Sequence, residues 1–457
     1  MKRLVLRNII VCIFLLCGSS LSPLFSQTPP RSNPVVSQII SEISADSIKA
    51  TVEKLVSFGT RHTLSDTTSA TQGAGAARRW IYSEFQRYAA ASQGRMSVEY
   101  SSGIVPASQR IPSPTTVTDV VAILHPKDTS NSSVSRHIIV SGHYDSRVTD
   151  VMDAVHNAPG ADDDGSGTAL VLELARVFSK HDFEATIVFL CTSGEEQGLF
   201  GSTIYAEKVK QNGWDVEAVF NNDIVGSIRG GNGEVESTYV RVFSQAYNST
   251  DTGLVFQQHN SQGLENDGVS RSLARYVFET AKEYTPEFGV KMIYRLDRFL
   301  RGGDQTPFYQ RGYAAIRFTE ANENFDHQHQ DVRVDSGKQF GDLPEFMNFP
   351  YCANVARVNA AGIASLALAP APPANVGIVT SGLSYDTKLQ WKKNTEPDLS
   401  GYYVRYRETT SPVWEHSVFT ADTTVTLHVS KDDYLFAVQA VDKEGNVSLP
   451  VVPKPVR

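Results

Sequence analysis

The chain has 457 residues, 41% of them hydrophobic and 20% charged, which excludes a wholly disordered or collagen-like protein. A net charge of −8 excludes a basic nucleic-acid footprint. Four cysteines are too few for a disulfide scaffold, and the length allows two or three domains.

Residues 1–26 read as an export signal. Lys2, Arg3 and Arg7 make a basic start, and Ile9 to Leu16 is an apolar run of eight, too short to span a bilayer as a mature helix. Gly18-Ser19-Ser20 and Leu24-Phe25-Ser26 are both candidate cleavage sites. Leu16 stands before Cys17 where a lipidation signal wants a small residue, which argues against a lipoprotein. Cleavage removes three positive charges and no acids, taking the net charge from −8 to −11. It leaves Cys191 and Cys352, which are free to pair or to stay as thiols. No later apolar run is long enough to be transmembrane, so the expected product is exported, periplasmic or extracellular.

Residues 27–36 are proline-rich and read as a flexible lead-in to a domain over 37–369. From Val36 to Tyr88 apolar residues recur mostly every three or four positions, and Ala76 to Tyr88 is an amphipathic helix with Trp80, Ile81 and Phe85 on one face. Strand-like runs follow at Val98–Tyr100, Thr116–Leu124 and His137–Ser141, then a helix over Ser166–Ser179. Thr186–Cys191 reads as a buried strand, Ser202–Lys210 as a helix and Glu217–Asn221 as another strand. This alternation predicts an α/β fold with a largely parallel sheet. Leu366–Val376, with three prolines and four alanines, marks a change of composition, and the linker is set at 370–376. Beyond it, strand-like runs at Lys388–Trp391, Gly401–Arg407, Thr423–Val429 and Tyr434–Val441 predict a small all-β sandwich over 377–457.

Five short segments carry candidate chemistry, most at a strand end or a helix start, where open α/β sheets place their sites. Ser141-Gly142-His143-Tyr144-Asp145 presents an imidazole with a carboxylate two residues on, which can fix the tautomer of a metal-bound ring. Asp162-Asp163-Asp164 precedes a helix; one aspartate suffices for a cap, and three repel unless a cation sits among them. Glu195-Glu196 follows the buried strand, where paired acids are costly without a counter-charge. Asn222-Asp223 and Asp326-His327-Gln328-His329-Gln330-Asp331 complete the set. Singly each is bland. Together they offer His, Asp, Glu, Asp and His in order, nitrogen and oxygen donors suited to catalytic rather than structural zinc, in number enough for two ions.

From about Ile40 to Ala369 these segments, with Leu55–His62 (LVSFGTRH), resemble the co-catalytic di-zinc aminopeptidases of metallopeptidase family twenty-eight. The resemblance implies a zinc-exopeptidase-like three-layer sandwich with a mixed, largely parallel sheet. It also implies a zinc-dependent aminopeptidase acting on peptide or protein N-termini, with two zinc ions. Counting back from Ser166-Gly167 makes Asp163 the bridging aspartate, with Asp164 after an often cis peptide. His143 matches a zinc ligand and Asp145 its partner, Glu195 the general base, Glu196 and Asp223 ligands. The family spacing of four residues before Asp331 selects His327 as the last ligand, with His329 the competing choice. Asp163, His143 and Asp223 would hold one zinc, and Asp163, Glu196 and His327 the other. Gln305 follows Asp304 where the family often has an Asp-His pair. The C-terminal strands resemble a fibronectin type III domain, with Trp391 and Tyr434 as its core aromatics, and leave that domain as a candidate contact for a surface or protein. A glutaminyl cyclase and a non-catalytic binding protein are the rival readings. Cyclases usually carry Trp before the last histidine ligand, where this chain has Asp326. Side-chain preference is unread, with Glu236 to Asp267 one candidate for the pocket lining.

Overall fold

The computed structural model describes residues 32–127, 136–382 and 384–457. The expected export signal lies outside these residues, as do residues 27–31 of the lead-in. Among the described residues no helix is long and apolar enough to cross a membrane.

The segment read as helical up to Tyr88 holds three helices, α1 (Pro34–Ser41), α2 (Ala45–Val56) and α3 (Gly73–Ala89). The first begins inside the stretch expected to be a lead-in, because Asn33 caps it, accepting from the Val35 amide at 2.8 Å, and Pro34 suits the first turn. A loop at 57–72 separates α2 from α3 and carries Arg61. Then come β1 (Met96–Val105), β2 (Thr115–Leu124), β3 (Arg136–His143), α4 (Gly165–Phe178), β4 (Thr186–Thr192), α5 (Glu195–Gly198), α6 (Phe200–Gln211) and β5 (Asp215–Asn222). The sequence reading had left unassigned β6 (Tyr239–Phe243), α7 (Gly253–Ser261), α8 (Val269–Tyr284), β7 (Gly289–Ile293), α9 (Gln305–Tyr309), β8 (Ala315–Thr319), β9 (Arg333–Asp335), β10 (Lys338–Phe340) and α10 (Phe349–Leu368).

The main sheet has eight strands in the order β1-β2-β4-β3-β5-β8-β6-β7. Its central strands β4, β3, β5 and β8 are mutually parallel, and β2 pairs antiparallel with both β1 and β4. Alternate side chains of each strand serve opposite faces. Ile138 and Val140 join α4, α8 and α10 in the larger core, whereas Ile139 and Val188 meet Tyr205, Ala206 and Phe308 on the other face. The α/β three-layer expectation therefore holds. Cys191 and Cys352 are both buried and free.

After α10 the chain forms β11 (Gly377–Val379), β12 (Thr387–Gln390), β13 (Leu399–Glu408), β14 (His416–Thr420), β15 (Thr424–Leu427), β16 (Tyr434–Asp442) and β17 (Lys454–Val456). They make a four-stranded sheet, β15-β12-β11-β17, and a three-stranded one, β14-β13-β16. Leu389, Trp391, Tyr402, Val404 and Phe436 fill one core between them. A buried charge cluster clasps these two smaller sheets to the α/β part of the chain. The Asp267 carboxylate takes Arg275 Nη1 at 3.2 Å and Arg407 Nη2 at 2.7 Å, and no side chain of the three is more than 1% exposed. Trp414 covers both guanidinium groups, at 5.1 and 5.5 Å. Asn33 and Asn446 add a buried hydrogen bond of 2.8 Å.

Candidate metal centre

β4, β3 and β5 are neighbours, and their carboxyl ends deliver the acidic groups to one cleft. His143 is the last residue of β3, Asp223 follows β5, and Glu195 and Glu196 open α5 just after β4. Asp163 precedes α4 through a cis peptide to Asp164. The two carboxylate oxygens of Asp163 face different imidazoles: Oδ1 lies 3.3 Å from His143 Nε2 and Oδ2 lies 2.9 Å from His329 Nε2. Glu196 Oε1 is 3.1 Å from the same His329 nitrogen, and Asp223 Oδ2 is 3.9 Å from His143 Nε2. Two groups able to hold a cation result, His143-Glu195-Asp223 and Asp163-Glu196-His329, each with its donor atoms within 4.8 Å of one another.

This corrects the expected last ligand. His327 does not reach the cleft residues; its ring stacks on Phe346 with centroids 3.6 Å apart. His329, at a left-handed φ of 51°, reaches Asp163 and Glu196 instead. The other expected residues, His143, Asp163, Glu195, Glu196 and Asp223, do come together.

The three aspartates divide their tasks. Asp164 caps α4, its Oδ1 accepting from Gly167 at 2.8 Å, and its Oδ2 accepts the His143 amide at 2.9 Å. Asp162 accepts the Gly226 amide at 2.8 Å and shares a hydrogen bond with Glu320, whose carboxyl burial and Asp162 together drive well above the ordinary range. Asp342 receives the amides of Asp162 and Asp163, both at 2.8 Å. Burial opposes ionisation of Asp163, yet His329 and His143 outweigh it and hold this carboxyl well below its usual value. Burial raises Glu195 well above the carboxyl range; His143 opposes that, and Asp223 and Glu196 add to it.

Asp145 faces the Nδ1 side of His143 with two groups. Its backbone carbonyl, at 3.1 Å, faces His143 Nδ1, with the carboxylate farther away at 3.6 Å. That carboxylate accepts the amides of Glu195 at 3.3 Å and Glu196 at 3.2 Å, and the Thr63 hydroxyl at 3.1 Å. It sets the turn that aims both glutamates.

Two supporting residues, Arg61 and Arg317, were not found from sequence. Arg61 is fully buried and donates to the carbonyls of Tyr144, Pro159 and Gly160 at 2.5–2.7 Å, tying the His143 loop to the loop before Asp163. Its only signal was its place in the segment LVSFGTRH. Arg317 reaches Asp223 Oδ1 at 2.8 Å and Asp297 at 3.1 Å. Gln305, in the place of the family's usual histidine, braces Asp297 at 2.9 Å. Asp304 is buried and accepts from the Thr192 hydroxyl.

Whether these residues suit metal is tested by their unmet bonding. His143 Nε2 and Glu196 Oε1 are buried, and neither makes a well-aligned hydrogen bond with its neighbour, Asp163 at 3.3 Å and His329 at 3.1 Å. Buried polar atoms are rarely left so. A cation between the carboxylates would satisfy both and relieve the repulsion of four acids. The donor set of imidazole and carboxylate fits zinc in a catalytic arrangement. Fold and site together define an open α/β protein with a cleft whose residues could hold a catalytic metal.

The comparisons agree. The model for peptidase family M28 matches residues 119–336. A probable zinc metalloprotease of Leptosphaeria maculans is 45% identical over 427 residues, covering 93% of this chain and 98% of that one. Another from Pyrenophora tritici-repentis is 46% identical over 420 residues, 91% and 86% of the two chains. The chain therefore belongs to peptidase family M28. Among solved structures, LapB of Legionella pneumophila superimposes with a TM-score of 0.53 at 21% identity, over 74% of this chain and 76% of that one. The aminopeptidase of Aneurinibacillus sp. strain AM-1 gives 0.51 at 15%, over 73% and 96%. At these identities the two structures speak for the fold.

Proposed function

We propose that this chain is an exported zinc-dependent exopeptidase, an aminopeptidase that hydrolyses the N-terminal peptide bond. The observation that carries the reading is the Asp163 carboxylate, with one oxygen turned to His143 and the other to His329. His143, Asp163 and Asp223 would hold one zinc, and Asp163, Glu196 and His329 a second. Zinc held there supplies Lewis acidity, which lowers the pKa of water and polarises a carbonyl oxygen. Glu195, the general base, takes a proton from the attacking water and returns it to the leaving amine nitrogen. Asp145 keeps Glu195 in place through its amide, and Arg317 holds Asp223 by one oxygen so that the other faces inward. The M28 membership, the zinc metalloprotease relatives and the aminopeptidase fold neighbours support this reading. The C-terminal domain is proposed as a fibronectin type III-like module, supported by its four- and three-stranded sheets around Trp391.

The test uses the mature chain loaded with zinc and three peptides: one with a free amine, its N-acetylated twin, and one beginning with Gln. Mass spectrometry should show stepwise loss of N-terminal residues from the free-amine peptide, none from the acetylated twin, and bound zinc approaching two ions per chain. Loss of ammonia from the Gln peptide without cleavage would make it a cyclase. No reaction with zinc bound would favour a binding role.

A further inference from the structure

We infer that the substrate of this cleft is a short peptide bearing a carboxylate close to the scissile bond, gripped by Arg110, Arg147 and Arg301. The inference rests on the metallopeptidase reading above. The cleft over Asp163, Glu195, Glu196 and Asp223 encloses about 310 Å³, near the lower end for small-molecule sites, so it admits a residue or two rather than a folded surface. Four arginines line it. One is already answered: Arg298 reaches Glu323 at 2.6 Å and Asp297 at 3.2 Å.

None of the other three has a carboxylate partner among the described residues. Arg110 Nη1 donates to the Glu196 carbonyl at 2.9 Å. Arg147 donates through Nε and Nη2 to the carbonyls of Val148 at 3.1 Å and Thr149 at 3.0 Å. Arg301 Nη1 lies 3.3 Å from His329 Nδ1. Each guanidinium has five N–H donors in a planar fork, so each keeps donors for a further partner, and that fork matches a carboxylate.

Solvated arginines at a rim are common, but here they line the same cleft as the candidate metal ligands Asp163, Glu196, Asp223 and His329. Arg110, Arg147 and Arg301 therefore bring three guanidinium groups without carboxylate partners to one opening. A substrate's α-amine would add a fourth positive charge. Like charges lining one opening repel, and a cleft focuses their field on an anion that enters it. Leu199 and Leu300 line the same space, so the carboxylate would sit beside a partly apolar wall.

The carboxylate has two sources, an acidic side chain or the C-terminus of a very short peptide. The zinc-loaded full chain is assayed with Leu-Ala-Ala amide, Glu-Ala-Ala amide, Leu-Glu-Ala amide and Leu-Ala-Ala free acid. At least one acid peptide should exceed the neutral amide in kcat/KM by about tenfold for each arginine engaged. The peptide that does so names the source. Arg110→Gln, Arg147→Gln and Arg301→Gln should each pull that ratio towards one, and so should added salt. Calorimetry on Glu195→Gln loaded with zinc reads the same ratio as binding affinity. Equal rates for the neutral amide and all acid peptides, or a ratio untouched by the three substitutions, overturn the inference. Failure to cleave any peptide counts against the peptidase reading instead, and the binding ratio then decides this one.

Discussion

Replacing Asp267 by Asn tests the clasp between the α/β part and the C-terminal sheets. The substitution keeps the side chain's shape and an acceptor oxygen but removes its charge. Arg275 and Arg407 would then be left with carbonyl partners alone: Pro412 at 2.8 Å and Asn266 at 2.7 Å for the first, Ser411 and Glu408 for the second. Their side chains are 1% and 0% exposed, so water cannot take the carboxylate's place. Breaking a buried pair by removing one partner costs about 3–5 kcal/mol. Arg407 Nε already lacks a hydrogen-bond partner, which favours the upper end. Urea unfolding of parent and Asp267→Asn should show that loss as a lower midpoint. The fluorescence of Trp414, taken as the difference from a Trp414→Phe protein, should change as the guanidinium groups shift. A loss below about 1 kcal/mol with unchanged Trp414 emission would refute the idea that this charge triad holds the C-terminal sheets to the α/β part.

His329→Ala should cut peptidase activity by more than about 100-fold and lower zinc content per chain, while His327→Ala should leave zinc content unchanged; metal analysis of both proteins settles which ring is the ligand. Asp145→Ala should fold normally, keep its zinc and lose about 10- to 100-fold in kcat, because the amides of Glu195 and Glu196 lose their acceptor; unchanged kcat would remove Asp145 from the machinery. Glu184 is pushed up to about 7 from an ordinary 4.5, first by burial and then by Asp398, with Arg136 opposing. A carboxyl that binds its proton more tightly when folded contributes stability below about pH 4.5 that is lost as the pH rises to about 7. Glu184→Gln should therefore raise Tm at pH 8 and leave it unchanged at pH 4; equal shifts at both would refute the assignment.

Much of the central sheet is legible in the sequence because it is buried on both faces. Thr186–Cys191 is a continuous apolar run, and β4 is buried at every residue. α4 is legible through its Asp-Gly-Ser start. α10 is not, because fifteen of its twenty residues are buried and no polar stripe marks one side. In α8 the apolar Leu273, Ala274, Val277 and Ala281 recur at helical spacing, but the buried Arg271 and Arg275 break the pattern and make sense only against a neighbouring segment or domain. The acidic residues of the site are legible because three adjacent aspartates and a Glu pair at strand and helix ends are electrostatically costly without a cation. The choice between His327 and His329 is not, because a spacing rule carries no information on a backbone that turns left-handed at His329. Arg61 and Arg317 act through loops and strands far apart in the chain, which spacing does not reveal.

β3 and β5 lie side by side, and His143 and Asp223, which face one another, leave from their ends. Neighbouring strands run about 4.8 Å apart. The backbone ladder is thus a ruler, and the interval between the facing groups is copied from peptide hydrogen bonds rather than from side-chain packing. A change of loop or rim leaves that interval intact; altering it would require a strand to slip in register, which turns every buried side chain to the wrong face. Such a floor is stiff under mutation while the rim above it is free to vary, so new substrates can be acquired at the cleft mouth without disturbing the chemistry beneath.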